Sequence, residues 1–173
     1  MSSDFILKLA RVAGIAALVV SPVLLSSCQM RPLYAEGSGV TEKMASLSFS
    51  PANSRVGQEV RNSLIFIAGH GAGEPANPQY DVTLTVTSAS TGVLYLASSD
   101  TSQAGRTTVT ASFVIKHISD GKVVKAGSRS MVALVDFPTQ EFAKQRALRD
   151  SEDRAAREVA QLVGADIAAA LSR

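Results

Sequence analysis

The sequence predicts a two-layer α+β sandwich: an antiparallel or mixed sheet of about four strands with two helices on one face, in the order β-α-β-β-β-α. Three observations carry this. Residues 80–87 alternate strictly between apolar and polar side chains, residues 54–68 carry an apolar stripe at helical spacing, and a long charged-then-apolar segment follows Pro138. Strands with one wet face need a layer of helices over the other.

Met44 to Phe49 alternates Ala45, Leu47 and Phe49 loosely and reads as a first short strand. Pro51 and Asn53 punctuate the chain, and Val56, Val60, Leu64 and Ile67 then recur at four, four and three positions. That spacing predicts an amphipathic helix from Ser54 to Ala68 with Asn53 or Ser54 as its N-cap. Glycine and proline break it between Gly69 and Pro78. Tyr80, Val82, Leu84 and Val86 then share one strand face, with Asp81, Thr83, Thr85 and Thr87 on the other. The pattern allows this strand to continue through Val93 to Ala97 past a bulge near Gly92.

After a polar stretch from Ser98 to Gly105, Val109, Ala111, Phe113 and Ile115 alternate with Thr108, Thr110, Ser112 and Val114. Asp120-Gly121 supplies a hairpin turn, so strands over residues 107–119 and 122–137 are expected to be antiparallel neighbours. Gly127 is the expected bulge in the second. Thr139 is placed to cap a helix from Gln140 to Leu171, supported by the acid-first pairs Asp150 with Arg154 and Asp153 with Arg157. Val159, Leu162, Val163, Ile167, Ala170 and Leu171 form its expected docking stripe, the half up to Glu158 is expected in solvent, and the pattern also permits a break near Ser151.

Ahead of this domain, Lys8 and Arg11 precede an apolar run from Val12 to Leu25. That is the order of an export signal, and the run is shorter than the roughly 20 apolar residues of a membrane-spanning helix. It ends in Leu25-Ser26-Ser27-Cys28, which resembles a lipobox: small residues before the thiol that accepts diacylglycerol. The expected organisation is therefore a signal peptide over residues 1–27, a lipid-anchored tether over 28–43 that contains Pro32, Gly37, Ser38 and Gly39 with little periodicity, and the α+β domain over 44–173. Cys28 is the only cysteine, so no intrachain disulfide is available.

Without Lys8, Arg11 and Asp4 the chain from Cys28 holds 15 basic and 14 acidic residues, a balance that supports no nucleic-acid partner. Its 146 residues make one ordinary domain. Catalytic material is sparse. His70 sits in Gly69-His70-Gly71-Ala72-Gly73 without the strand-before, helix-after context of a phosphate loop, and reads as linker. His117 has no second metal-ligand type at useful spacing. Asp150, Glu152 and Asp153 are interleaved with arginines, as on a solvated helix face. No enzyme, cofactor or metal is expected beyond the covalent lipid on Cys28.

Two surfaces are candidates for binding. Thr83, Thr85 and Thr87 on one strand and Thr108, Thr110 and Ser112 on the next make a hydroxyl-rich face, readable as ordinary solvated sheet or as a docking surface. Lys116, Lys122, Lys125 and Arg129 cluster around one hairpin end, where lysines commonly keep a strand soluble and where phosphates of a lipid could also be held. Lys125 and Arg129 share a strand face unless a bulge at Gly127 shifts the phase.

The start Cys28-Gln29-Met30-Arg31-Pro32-Leu33-Tyr34 resembles the Cys-Gly-Phe-x-Pro-Leu-Tyr opening of one branch of the LptE family, departing from it at Gln29 and Met30. Asp120-Gly121-Lys122-Val123-Val124, the Gly-Ser-Arg-Ser stretch at 127–130 and the closing 154–160 segment look like that family's second half. The resemblance implies an outer-membrane lipoprotein on the periplasmic side that plugs and helps assemble the LptD β-barrel, without catalysis, with lipopolysaccharide as a candidate ligand. Gln29 in place of aspartate after the cysteine accords with outer-membrane sorting. An auxiliary lipoprotein of a lipid-transport ABC system is the alternative, and a lipid-anchored hydrolase the third.

Overall fold

A computed structural model of the chain describes residues 39–96 and 101–172. The expected signal peptide, Cys28 and the tether up to residue 38 lie outside the described residues. The elements are helix α1 (Val40–Ala45), strand β1 (Leu47–Phe49), helix α2 (Arg55–Gly69), strands β2 (Tyr80–Leu96), β3 (Thr101–His117) and β4 (Val123–Asp136), and helix α3 (Glu141–Leu171). The sheet order is β1-β2-β3-β4, with β1 parallel to β2 and the remaining pairs antiparallel. The sandwich is as expected, with one helix added in front.

That helix is the first correction. Residues 40–43, read as tether, and Met44 and Ala45, read as strand, form α1, which buries Val40 and Met44. Six residues are too few to display a 3.6-residue period, and β1 shrinks to three residues behind it. The Lys43 ammonium donates to the Leu171 carbonyl at 2.8 Å, tying α1 to the end of α3.

Helix α2 begins at Ser54, whose hydroxyl accepts the Gly57 N–H at 3.0 Å as a side-chain cap. Its buried face is Val56, Gly57, Val60, Leu64 and Ala68. His70 closes it in the left-handed region at φ 48°, which places this histidine in a helix terminus.

Helix α3 is continuous through Ser151, starts at Gln140 without a side-chain cap, and docks differently from the expected stripe. Burial begins at Ser151, Ala155 and Ala156, ahead of Glu158, while Leu162 is exposed. Small residues decide this. A Cβ on Gly164 would lie 3.2 Å from Ile67, so glycine lets α3 and α2 approach closely.

Along β3, Val109, Ala111, Phe113 and Ile115 face the helices. Gly127 is directly opposite Phe113, and a Cβ there would meet the ring at 2.8 Å, so Gly127 is a packing position rather than the expected bulge. The irregularity in β4 falls instead beside Ile115 and Lys116, leaving Val124 unpaired in the ladder. In the β2 and β3 pair the register slips at Gly92 to Leu94, close to the expected site, and β3 starts at Thr101, inside the segment read as loop.

One hydroxyl chain crosses the seam between the layers. Ser90 and Thr107 are 2.8 Å apart at their hydroxyl oxygens, Thr107 and Ser151 are 2.7 Å apart, and Ser151 donates to the Leu148 carbonyl. Thr107 and Ser151 are fully buried, and this chain satisfies both.

Candidate docking interface

Strict period-two alternation brings the outward side chains of three strands into rows. Thr85, Ser112 and Ser128 form one row, and Thr87, Thr110 and Ser130 the next. Thr83 stands beside Val114 and Ala126, and Ala89 beside Thr108 and Val132. Thus Thr83, Thr85, Thr87, Thr108, Thr110 and Ser112 do share one face, opposite the helices. The Ser112 and Ser128 hydroxyl oxygens are 3.0 Å apart, and Thr110 donates to Ser130 at 3.2 Å. Each hydroxyl has one proton and two lone pairs, so these contacts leave capacity for a partner.

The alternation of β4 adds Ser128 and Ser130, which the candidate set omitted although the period-two rule could have found them. It also adds Val132 and Leu134, 51% and 70% exposed. The face is thus hydroxyl-rich over its middle and apolar toward Leu134, with Arg106 paired to Leu134 across the strands.

The four cations are divided among three places. Lys125 and Arg129 share the helix side of β4, as expected for a strand without a bulge between them. Arg129 is engaged there: its Nε and Nη2 donate to the two carboxylate oxygens of Asp166 at 2.6 and 2.7 Å. This bidentate pair raises the Arg129 pKa and holds the Asp166 carboxyl below its ordinary range, with Lys125 adding a weaker pull. Lys116 lies on the opposite side of the sheet, between Asp81 and Val123. Lys122 is in the turn, 3.1 Å from Asp120, whose carboxyl is pulled down first by the Lys122 backbone N–H and then by its ammonium.

A recess of about 200 Å³ lies between Val124, Lys125, Asp166, Ala169 and Ala170. That is below the roughly 300 Å³ at which small-molecule pockets begin. No three His, Cys, Asp or Glu side chains come together for a metal among the described residues. His117 is occupied by a 5.0 Å edge contact with Tyr80 and a 2.7 Å hydrogen bond with Ser119. No helix among the described residues is long and apolar enough to cross a membrane.

The family model for lipopolysaccharide assembly, LptE, matches residues 43–167, from the end of α1 almost to the end of α3. The chain belongs to the LptE family. The match takes in the hydroxyl-rich face, the hairpin end and the docking helix together. No curated protein matches the sequence. Among solved structures, a Caulobacter crescentus protein assigned as a lipoprotein is similar at TM-score 0.64 and 22% identity, covering 78% of this chain and 96% of its own. Rare lipoprotein B from Shewanella oneidensis is similar at TM-score 0.50 and 14% identity, covering 72% and 92%. A minor lipoprotein from Acinetobacter baumannii gives TM-score 0.50 at 12% identity, covering 71% and 88%. At these identities the likeness concerns the fold. By family, this chain is thus a lipopolysaccharide-assembly protein.

Proposed function

We propose that this chain is anchored in the outer membrane through lipid on Cys28 and plugs and assists assembly of the LptD β-barrel from the periplasmic side. The observation that carries the reading is the bare outer face of the sheet. Over its middle it is hydroxyl-rich and built of short side chains, so a partner backbone can approach closely there. The interior of a large membrane barrel is polar. A plug for it therefore needs a hydrogen-bonding surface, and protein interfaces carry about one hydrogen bond per 100–200 Å². Val132 and Leu134 supply the apolar contact that such a face otherwise lacks. Lipopolysaccharide contact belongs to the same reading as a separate step, with Lys125 the cation on the helix side of β4 that Asp166 does not clamp bidentately.

Thr85→Arg combined with Thr110→Arg tests the docking. Two unpaired guanidinium groups in an interface core are costly to desolvate, while on a solvated face they are harmless. The double variant should melt cooperatively as a free protein yet copurify with far less barrel from detergent-extracted outer membranes. Undiminished recovery would sink the plug reading for this face. A membrane ATPase complex eluting in place of a barrel would favour the ABC-auxiliary alternative.

A further inference from the structure

We infer that the turn between β3 and β4 is a second membrane contact, which seats the domain on the anionic phospholipid surface beside its own lipid anchor. The inference begins with which end of the sandwich the anchor must serve. The described chain enters at Gly39 and runs straight into α1. Just after α1, the Ser46 carbonyl accepts the Gln79 N–H at 2.8 Å, and the Gln79 carbonyl accepts the Ile118 N–H at 2.9 Å. Helix α1 and the β3–β4 turn therefore lie at one end of the domain. Eleven peptide links join Cys28 to Gly39, and even fully extended such a chain reaches at most about 38 Å. An acylated Cys28 confines that end to the membrane surface.

The turn suits the place. Ile118, Val123 and Val124 are 51%, 57% and 40% exposed within seven positions, on a segment where polar residues would cost nothing. Lys116, Lys122 and Lys125 flank them, against Asp120 as the one acid between residues 116 and 125. The Lys122 side chain is 83% exposed. Branched apolar side chains ringed by flexible ammonium groups are the composition of an interfacial contact, with the aliphatic groups entering the headgroup boundary and the stems of the lysines following them. Asp81 opposite Lys116, Glu42 on α1 and Asp166, which is paired with Arg129 and lies beside Lys125, are further acids near this end, so the attraction comes from the exposed ammonium groups of Lys122 and Lys125 themselves. The same three features in a protein-facing turn would be a weak site. Tethering changes that, because a linker this short holds the turn at an effective concentration in the millimolar range.

The inference rests on the acyl anchor and not on the barrel, so vesicles without any barrel test it alone. The acylated chain carrying Val123→Cys is labelled with an environment-sensitive fluorophore, since acylation consumes the one native thiol. It is then reconstituted into phosphatidylethanolamine vesicles with or without phosphatidylglycerol, with Phe142→Cys at the start of α3 as the comparison site. Expected is a blue-shifted emission at position 123, quenched by nitroxide-bearing lipid, that requires phosphatidylglycerol and weakens at high salt; position 142 should show neither. Adding Lys122→Gln and Lys125→Gln should lower the docked-to-undocked ratio about 25-fold, at about fivefold for each lysine near an anionic surface. Equal quenching at 123 and 142, or quenching indifferent to phosphatidylglycerol, overturns the proposal. A response that appears only on adding lipopolysaccharide also overturns it and assigns the turn to that ligand instead.

Discussion

On β3, Val109, Ala111, Phe113 and Ile115 lie beneath the helices at 1% exposure or less, while their alternate neighbours Thr108, Thr110, Ser112 and Val114 stand half-buried or exposed on the other side. The backbone is the same and the composition is not. The covered face is branched and aromatic, and it tolerates glycine only where a neighbour fills the space, as Phe113 does at Gly127. The bare face is hydroxyl and methyl over its middle, with bulk toward Leu134, and side-chain hydrogen bonds link its strands. Stability therefore resides on one side of the sheet, which leaves the other side free to be shaped by a partner.

The largest expected effect breaks this comparison at adjacent positions. Phe113→Ala empties a fully buried site and should cost about 3–5 kcal/mol in chemical denaturation, whereas Ser112→Ala should stay within about 0.5 kcal/mol. Similar losses from the two would mean that the outer face is also core. A smaller effect is expected at the seam. Thr107→Val keeps the shape but removes the hydroxyl between Ser90 and Ser151, and should cost about 1–3 kcal/mol. Since Ser151 retains the Leu148 carbonyl, the loss should fall toward the lower end.

The smallest effect sharpens the comparison at the rim, where the Arg129 and Asp166 pair joins β4 to α3. Asp166 has a folded-state pKa below its unfolded value, so the pair's stabilisation is complete above about pH 3.9 and is lost as pH falls through the lower folded value. Asp166→Asn should therefore lower Tm slightly at neutral pH, and the gap from the parent protein should close under strong acid. A gap that persists unchanged in acid would assign the loss to packing of the side chain. High salt should narrow it too, because both groups are substantially exposed.

Much of this was legible from residue pattern. Alternation in β2 and β3 is a local property, and it placed Thr83, Thr85, Thr87, Thr108, Thr110 and Ser112 on one face without any knowledge of the helices. What the pattern missed depended on neighbours remote in sequence. Gly127 looks like a bulge until Phe113 is known to lie across from it, and Leu162 looks like core until Ala155, Ala156 and Gly164 are seen to line the buried side of α3. Lys125 and Arg129 share a face because the bulge expected at Gly127 is absent, and nothing in their spacing foretold Asp166, 37 positions beyond Arg129.

The hydrogen bond from Lys43 to the Leu171 carbonyl joins nearly the first described residue to nearly the last. Helix α1 buries Val40 and Met44, and this hydrogen bond holds it to the end of α3, where Leu171 is buried as well. A chain made from its N-terminus cannot close this contact until its final helical turn has emerged. The domain thus completes itself only when the last turn of α3 is in place.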